Sequence, residues 1–224
     1  MFSILTLFSL LVLISALFFH HYRRIRNLIS KDSTDFKITN YFFWQVKRIS
    51  GLFKTSIKKD CQKLLHKVLY LRYPTAEKWS IILLSLSFVL LAASGFIYAL
   101  FIAQSLYGYP LLLHVILGGV FSVCLSIVVA LQAPFYSFHK EAESSIYSAS
   151  RGKVRRHVTV AQKILFWLFV ISGLLLVLTA LSLMLPVFSL TAQLVVIDIH
   201  RYSALSTLLS AIAFTYFAFI DDVK

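Results

Sequence analysis

Five long apolar runs constrain this chain more than any other feature: residues 2–19, 81–106, 111–131, 164–187 and 194–220. Each holds about 18–27 residues, against the roughly 20 a helix needs to cross a hydrocarbon core about 30 Å thick. In such a core every backbone N–H and C=O must be satisfied within the segment, which selects helices. With 59 % of all residues hydrophobic, the expected class is an all-α integral membrane protein with five spans.

Basic residues set the expected orientation. Of 22 Lys and Arg, 14 fall between His20 and Ser80 and 6 between Leu131 and Ile164; Lys224 closes the chain and Arg201 is left over. Five spans put those two loops and the C-terminus on one side. The opposite side receives the N-terminus and two short links, 107–110 and 188–193, which carry no Lys or Arg. Cationic loops stay cytoplasmic, so the N-terminus is expected outside and the C-terminus inside. A net charge of +13 also suits a nucleic-acid binder. Because the charges flank spans, anionic headgroups and partner subunits explain them better, and no nucleic-acid partner is expected.

Residues 1–19 are apolar without a basic leader, and Arg23, Arg24 and Arg26 follow the run. That pattern suits a retained transmembrane anchor better than a cleaved signal. Residues 20–78 form a basic cytoplasmic segment. Within it Phe42, Phe43, Val46, Ile49 and Phe53, and then Ile57, Cys61, Leu64, Leu65 and Val68, recur at helical spacing among lysines. Two functions remain open for these amphipathic stretches: lying on the lipid surface, or docking a cytoplasmic partner. Pro74 and Thr75 mark the entry to the next helix. Residues 79–220 then read as an up-down four-helix bundle, and 221–224 as a cytoplasmic tail. Cys61 in the inner loop and Cys124 in mid-span cannot pair, and without a CxxC or a His/Cys cluster neither suggests zinc.

The candidate site rests on His114, in Pro110-Leu-Leu-Leu-His114-Val-Ile-Leu-Gly-Gly119, and His200, in Leu194-Val-Val-Ile-Asp-Ile-His200-Arg-Tyr-Ser203. Each lies four to six residues inside a span, roughly 6–9 Å along a helix. Both helices run from outside to inside, so the two imidazoles arrive at one depth. An intramembrane histidine needs a partner and is a functional candidate by default. Facing helices of a bundle can supply two axial ligands to a haem iron; two unrelated histidines, each bonded to a neighbouring helix, is the plainer alternative. Gly118, one turn below His114, and Ser94-Gly95 would leave room for a flat porphyrin or let helices pack closely. Arg201 could meet a haem propionate, or pair with Asp198 on its own helix. Ser94, Ser122 and Tyr202 are candidates to hold an imidazole N–H. His20, His21, His66, His139 and His157, among basic residues, read as solvated surface.

Residues 75–220 resemble the di-haem cytochrome b (gamma) subunits of bacterial membrane-bound formate dehydrogenases and nickel-iron hydrogenases. The resemblance lies in Ala161-Gln-Lys-Ile-Leu-Phe-Trp167 followed by Ser172-Gly173, and in Glu77-Lys78-Trp79 followed by Ser94-Gly95. His114 and His200 match the family's outer-haem ligands. The resemblance implies an electron-transfer subunit in the bacterial cytoplasmic membrane. It would bind haem b, partner iron-sulfur and catalytic oxidoreductase subunits, and pass electrons to quinone. Where the family ligates a second, inner haem, this sequence has Trp79, Ser80 and Ile81, and Phe214 with Tyr216 nearby; Thr159 replaces an asparagine near the family's quinone site. A single outer haem is therefore expected. A haem-free anchor or assembly protein built on the same bundle is the alternative. No inverted repeat or charged midplane site suggests a transporter, and no phosphate loop, dinucleotide fingerprint or nucleophile elbow suggests a soluble enzyme.

Overall fold

The computed structural model describes residues 2–29, 75–102, 106–138, 158–185 and 188–221, and these are helical apart from short connections. The helices are α1 (Phe2–Ile29), α2 (Thr75–Ile97), α3 (Gly108–Gln132), α4 (Val160–Met184) and α5 (Leu190–Asp221). A π-helical turn, Tyr98–Ile102, closes α2. The amphipathic stretches expected between residues 42 and 68 lie outside the described residues, as do Cys61, His66, His139 and His157.

The chain forms two compact units, residues 9–73 and residues 1–8 with 74–224. In the first, the Arg23 guanidinium sits 4.5 Å above the Phe19 ring, a cation–π contact at the end of the apolar run. In the second, Phe2 stacks on Phe96 at 6.5 Å and meets Tyr202 edge-on at 5.6 Å. The start of α1 therefore lies at the end of the bundle that carries the two short links, in accord with the expected topology.

Among the described residues, four helices are long and apolar enough to cross a membrane: Phe2–Arg23, Glu77–Phe101, Gly108–Gln132 and Val160–Met184. Their large side chains face outward, Leu86, Val89, Ile116, Val123, Ile171 and Leu178 among them, each more than half exposed. A monomer in water does not expose so much apolar surface; lipid covers it. The fifth expected span, α5, is not among the four. Asp198, His200 and Arg201 dilute its apolar run, and Ser203, Thr207 and Ser210 face inward and are buried. At 32 residues it is about 48 Å long and runs antiparallel along the whole of α4. Gln162 Nε2 donates to the Phe217 carbonyl at 3.2 Å. Thr207 Oγ1 lies 3.0 Å from Ser172 Oγ, and Thr179 Oγ1 lies 2.9 Å from His200 Nδ1. Every step forward along α4 is matched by an equal step back along α5, so one register holds from end to end.

The apolar core sits where α2, α3 and α4 meet. Leu84, Phe121, Cys124, Leu125 and Val128 are buried there. Phe88, Phe121 and Phe169, one from each helix, pack with centroids 5.7–6.5 Å apart. Span hydroxyls mostly return their hydrogen to their own helix, as Ser85 does to Ile81 and Ser126 to Ser122, which removes a cost lipid could not offset.

At the opposite end of the bundle, Gln132 Nε2 donates to Glu77 Oε1, and Glu77 is buried. Lys163 Nζ donates to the Ser137 carbonyl and Trp167 Nε1 to the Tyr136 carbonyl. The Tyr136 ring stacks on Phe166 at 4.3 Å and meets Phe214 at 5.7 Å. Phe214, one position where the family carries an inner-haem ligand, thus belongs to a packed aromatic cluster. Thr159, another departure from the pattern of that resemblance, is the N-cap of α4. Its Oγ1 accepts from the Gln162 N–H, and Gln162 Oε1 accepts from the Thr159 N–H, a reciprocal capping box. Thr159→Ala is expected to cost about 1 kcal/mol, read as a lowered denaturation midpoint in detergent. Thr159→Ser should restore it.

Candidate functional site

The two histidines stand early in the helices that follow the two short links. His114 stands in the second turn of α3. That helix starts at Gly108, whose φ of +62° favours glycine, with Pro110 in the first turn, where a missing N–H costs nothing. Across from it, near the end of α2, Ser94 Oγ lies 2.9 Å from His114 Nδ1. His200, on α5, is held in the same way from the end of α4, by Thr179 Oγ1 at 2.9 Å from its Nδ1. Both rings are half-buried.

Each expected site residue has a definite place. Ser94 holds His114, as one expectation had it. Thr179, not Tyr202 or Ser122, holds His200: the Tyr202 side chain is well exposed and meets Phe2, while the Ser122 carbonyl accepts the Ser126 hydroxyl. Gly95 lies against the His114 ring, where an added methyl would stand 3.6 Å from Cε1, an ordinary contact. Gly118 faces open space, with nothing within 4 Å of where a Cβ would be. Arg201 pairs with Asp198 at 3.7 Å, both well exposed. Of the two roles expected for Arg201, the ion pair along its own helix is therefore formed; such an exposed pair contributes little stability.

Thr179 stands at nearly the spacing from its histidine that Ser94 has. Ser94 precedes His114 by 20 residues and Thr179 precedes His200 by 21, each across a short link. The two helical hairpins thus repeat one device, a hydroxyl late in the first helix against an imidazole early in the second.

Imidazole is a donor type that ligates haem iron. Nδ1 of each ring is occupied by a neighbouring helix, so Nε2 is the atom left to bind. Among the described residues no group of three or more His, Cys, Asp and Glu could hold a metal ion, which sets aside zinc-type sites built by side chains alone. No family model, curated protein or solved structure matches the chain.

Proposed function

We propose that this multi-pass membrane protein is a b-type haem subunit, with His114 and His200 as axial ligands to a single haem at the link end of the bundle. The observation that carries this reading is the doubled hydroxyl–imidazole pair. The two helices that follow the short links each carry a histidine with Nδ1 held by a hydroxyl of the preceding helix and Nε2 left over. Haem bound there would supply one-electron transfer. The chain's own part is to hold both rings, to exclude water with apolar helices, and to leave space at Gly118. Arg201, beside His200 at the exposed rim, is close enough in sequence to exchange Asp198 for a propionate.

In the cell, the reading makes the chain a membrane anchor for a peripheral oxidoreductase. Electrons would pass between an iron-sulfur partner, this haem and quinone, in a bacterial cytoplasmic membrane with the N-terminus outside. The distribution of Lys and Arg supports that orientation. The aromatic cluster of Tyr136, Phe166 and Phe214 supports one haem rather than two.

A second reading has its own support. The same bonds satisfy each imidazole as an ordinary interhelical contact, which suits a haem-free anchor. A reduced-minus-oxidised spectrum of protein purified from haem-replete cells separates the two. A b-type difference band at about one haem per chain is expected; its absence ends the electron-carrier reading and leaves the anchor.

A further inference from the structure

Each hydroxyl that touches an imidazole also lies within hydrogen-bond distance of a carbonyl of its own helix, which can only accept. Thr179 Oγ1 donates to the Leu175 carbonyl at 2.8 Å, with the Leu176 carbonyl at 3.0 Å. Ser94 Oγ donates to the Leu91 carbonyl at 3.1 Å. A hydroxyl has one hydrogen and two lone pairs. Ring and carbonyl are both bonded only if the hydroxyl gives its hydrogen to the carbonyl and turns a lone pair to the ring at 2.9 Å, and the ring nitrogen then carries the proton. A neutral imidazole has one N–H, so Nε2 is then unprotonated.

We infer that Ser94 and Thr179 are positioning residues that fix both imidazoles as the Nδ1–H tautomer and so direct the two Nε2 lone pairs toward a shared metal. The tautomer stands on these hydrogen bonds alone; that the metal is haem iron rests on the proposed function. A hydroxyl already bonded to a carbonyl is a neutral acceptor, so it orients the ring without bringing an anion to the ligand. A carboxylate in its place would push electron density onto the iron and favour the oxidised form. Thr179 is buried, and its branched Cβ restricts its own rotamer, so His200 is the more tightly held of the two rings.

The tautomer can be read without any cofactor. In full-length protein labelled with 15N-histidine and reconstituted in lipid nanodiscs, the His114 and His200 ring nitrogens are expected to show Nδ1–H with Nε2 unprotonated, assigned through His114→Gln and His200→Gln. Thr179→Val, nearly the same shape without the hydroxyl, should release His200 from that single tautomer, and Thr179→Ser should restore it. In haem-loaded protein, Thr179→Val should weaken haem retention by about 10–100-fold and shift the midpoint potential, with Thr179→Ser close to wild type. An Nε2–H tautomer at both sites in the wild type, or a Thr179→Val protein with unaltered ring signals, overturns the inference. A chain that binds no haem yet shows Nδ1–H at both rings upholds the tautomer and fails only the haem reading.

Discussion

His200→Ala, and separately His114→Ala, is expected to abolish the b-type spectrum of the purified protein while leaving the helical fold intact. The alternative cause of such a loss is collapse of the bundle, and magnitudes discriminate between the two. Each substitution removes one interhelical hydrogen bond, worth about 0.6 kcal/mol on average in a membrane bundle and about 1.7 at most. The hydroxyls left behind are not orphaned, because Thr179 still donates to Leu175 and Ser94 to Leu91. Unfolding is therefore not expected, whereas an axial ligand to iron has no ready substitute: α2 to α5 contain no histidine besides His114 and His200. The matched control is Thr207→Val, which removes the Ser172 contact one register step away at a similar cost and should keep the spectrum. Haem content unchanged in both histidine variants would place the ligands elsewhere. Equal loss in Thr207→Val would make the effect one of folding.

The parts of this architecture that were legible in the sequence are those decided residue by residue. Apolar runs declare spans because a single charge in lipid is costly, and the described helices begin within a few residues of where the runs do. Ends were less legible. Pro74 and Thr75 did mark where α2 begins, but the run 81–106 gives no hint that it closes in a π-helical turn at Tyr98–Ile102, which lies in hydrogen bonding rather than in polarity. His114, His200 and Ser94 stood out as rare or small groups in apolar surroundings. Thr179 did not, because a hydroxyl in a span ordinarily bonds its own helix, as Ser182 does to Leu178. Only the antiparallel register distinguishes Thr179 from Ser182, and a register is a property of two helices together. Thr159 could have been read locally: Thr159-Val-Ala-Gln162 is a capping box in sequence as well as in structure.

That register also governs how the two hairpins meet, and Gly173 is where this can be tested most severely. Within each hairpin, bonds from end to end hold the helices: Glu77–Gln132 and Ser94–His114 in one, Gln162–Phe217 through Thr179–His200 in the other. Between α3 and α4 the closest approach runs over Gly173, where a Cβ would stand 3.2 Å from Leu125 Cδ2 and 3.6 Å from Phe121 Cζ. Gly173→Ala asks only that the flexible end of Leu125 give a few tenths of an ångström, and it gains helix propensity of up to about 1 kcal/mol, so little net change is expected. Gly173→Leu instead drives a branched chain into space held by Leu125 and the Phe88–Phe121–Phe169 cluster. Overpacking of this kind costs about 1–3 kcal/mol. Because each hairpin keeps its own bonds, relief comes from parting the hairpins rather than melting the helices. His114 belongs to one hairpin and His200 to the other, so the two rings separate. Gly173→Leu is therefore expected to retain its helical circular dichroism, to lose several degrees of denaturation midpoint, and to bind haem weakly or not at all. Leu125→Ala in the same chain should recover part of both losses, since contacting sites couple. Wild-type stability and haem content in Gly173→Leu would show that the hairpins do not meet at this crossing, and the shared site between His114 and His200 would fall with it.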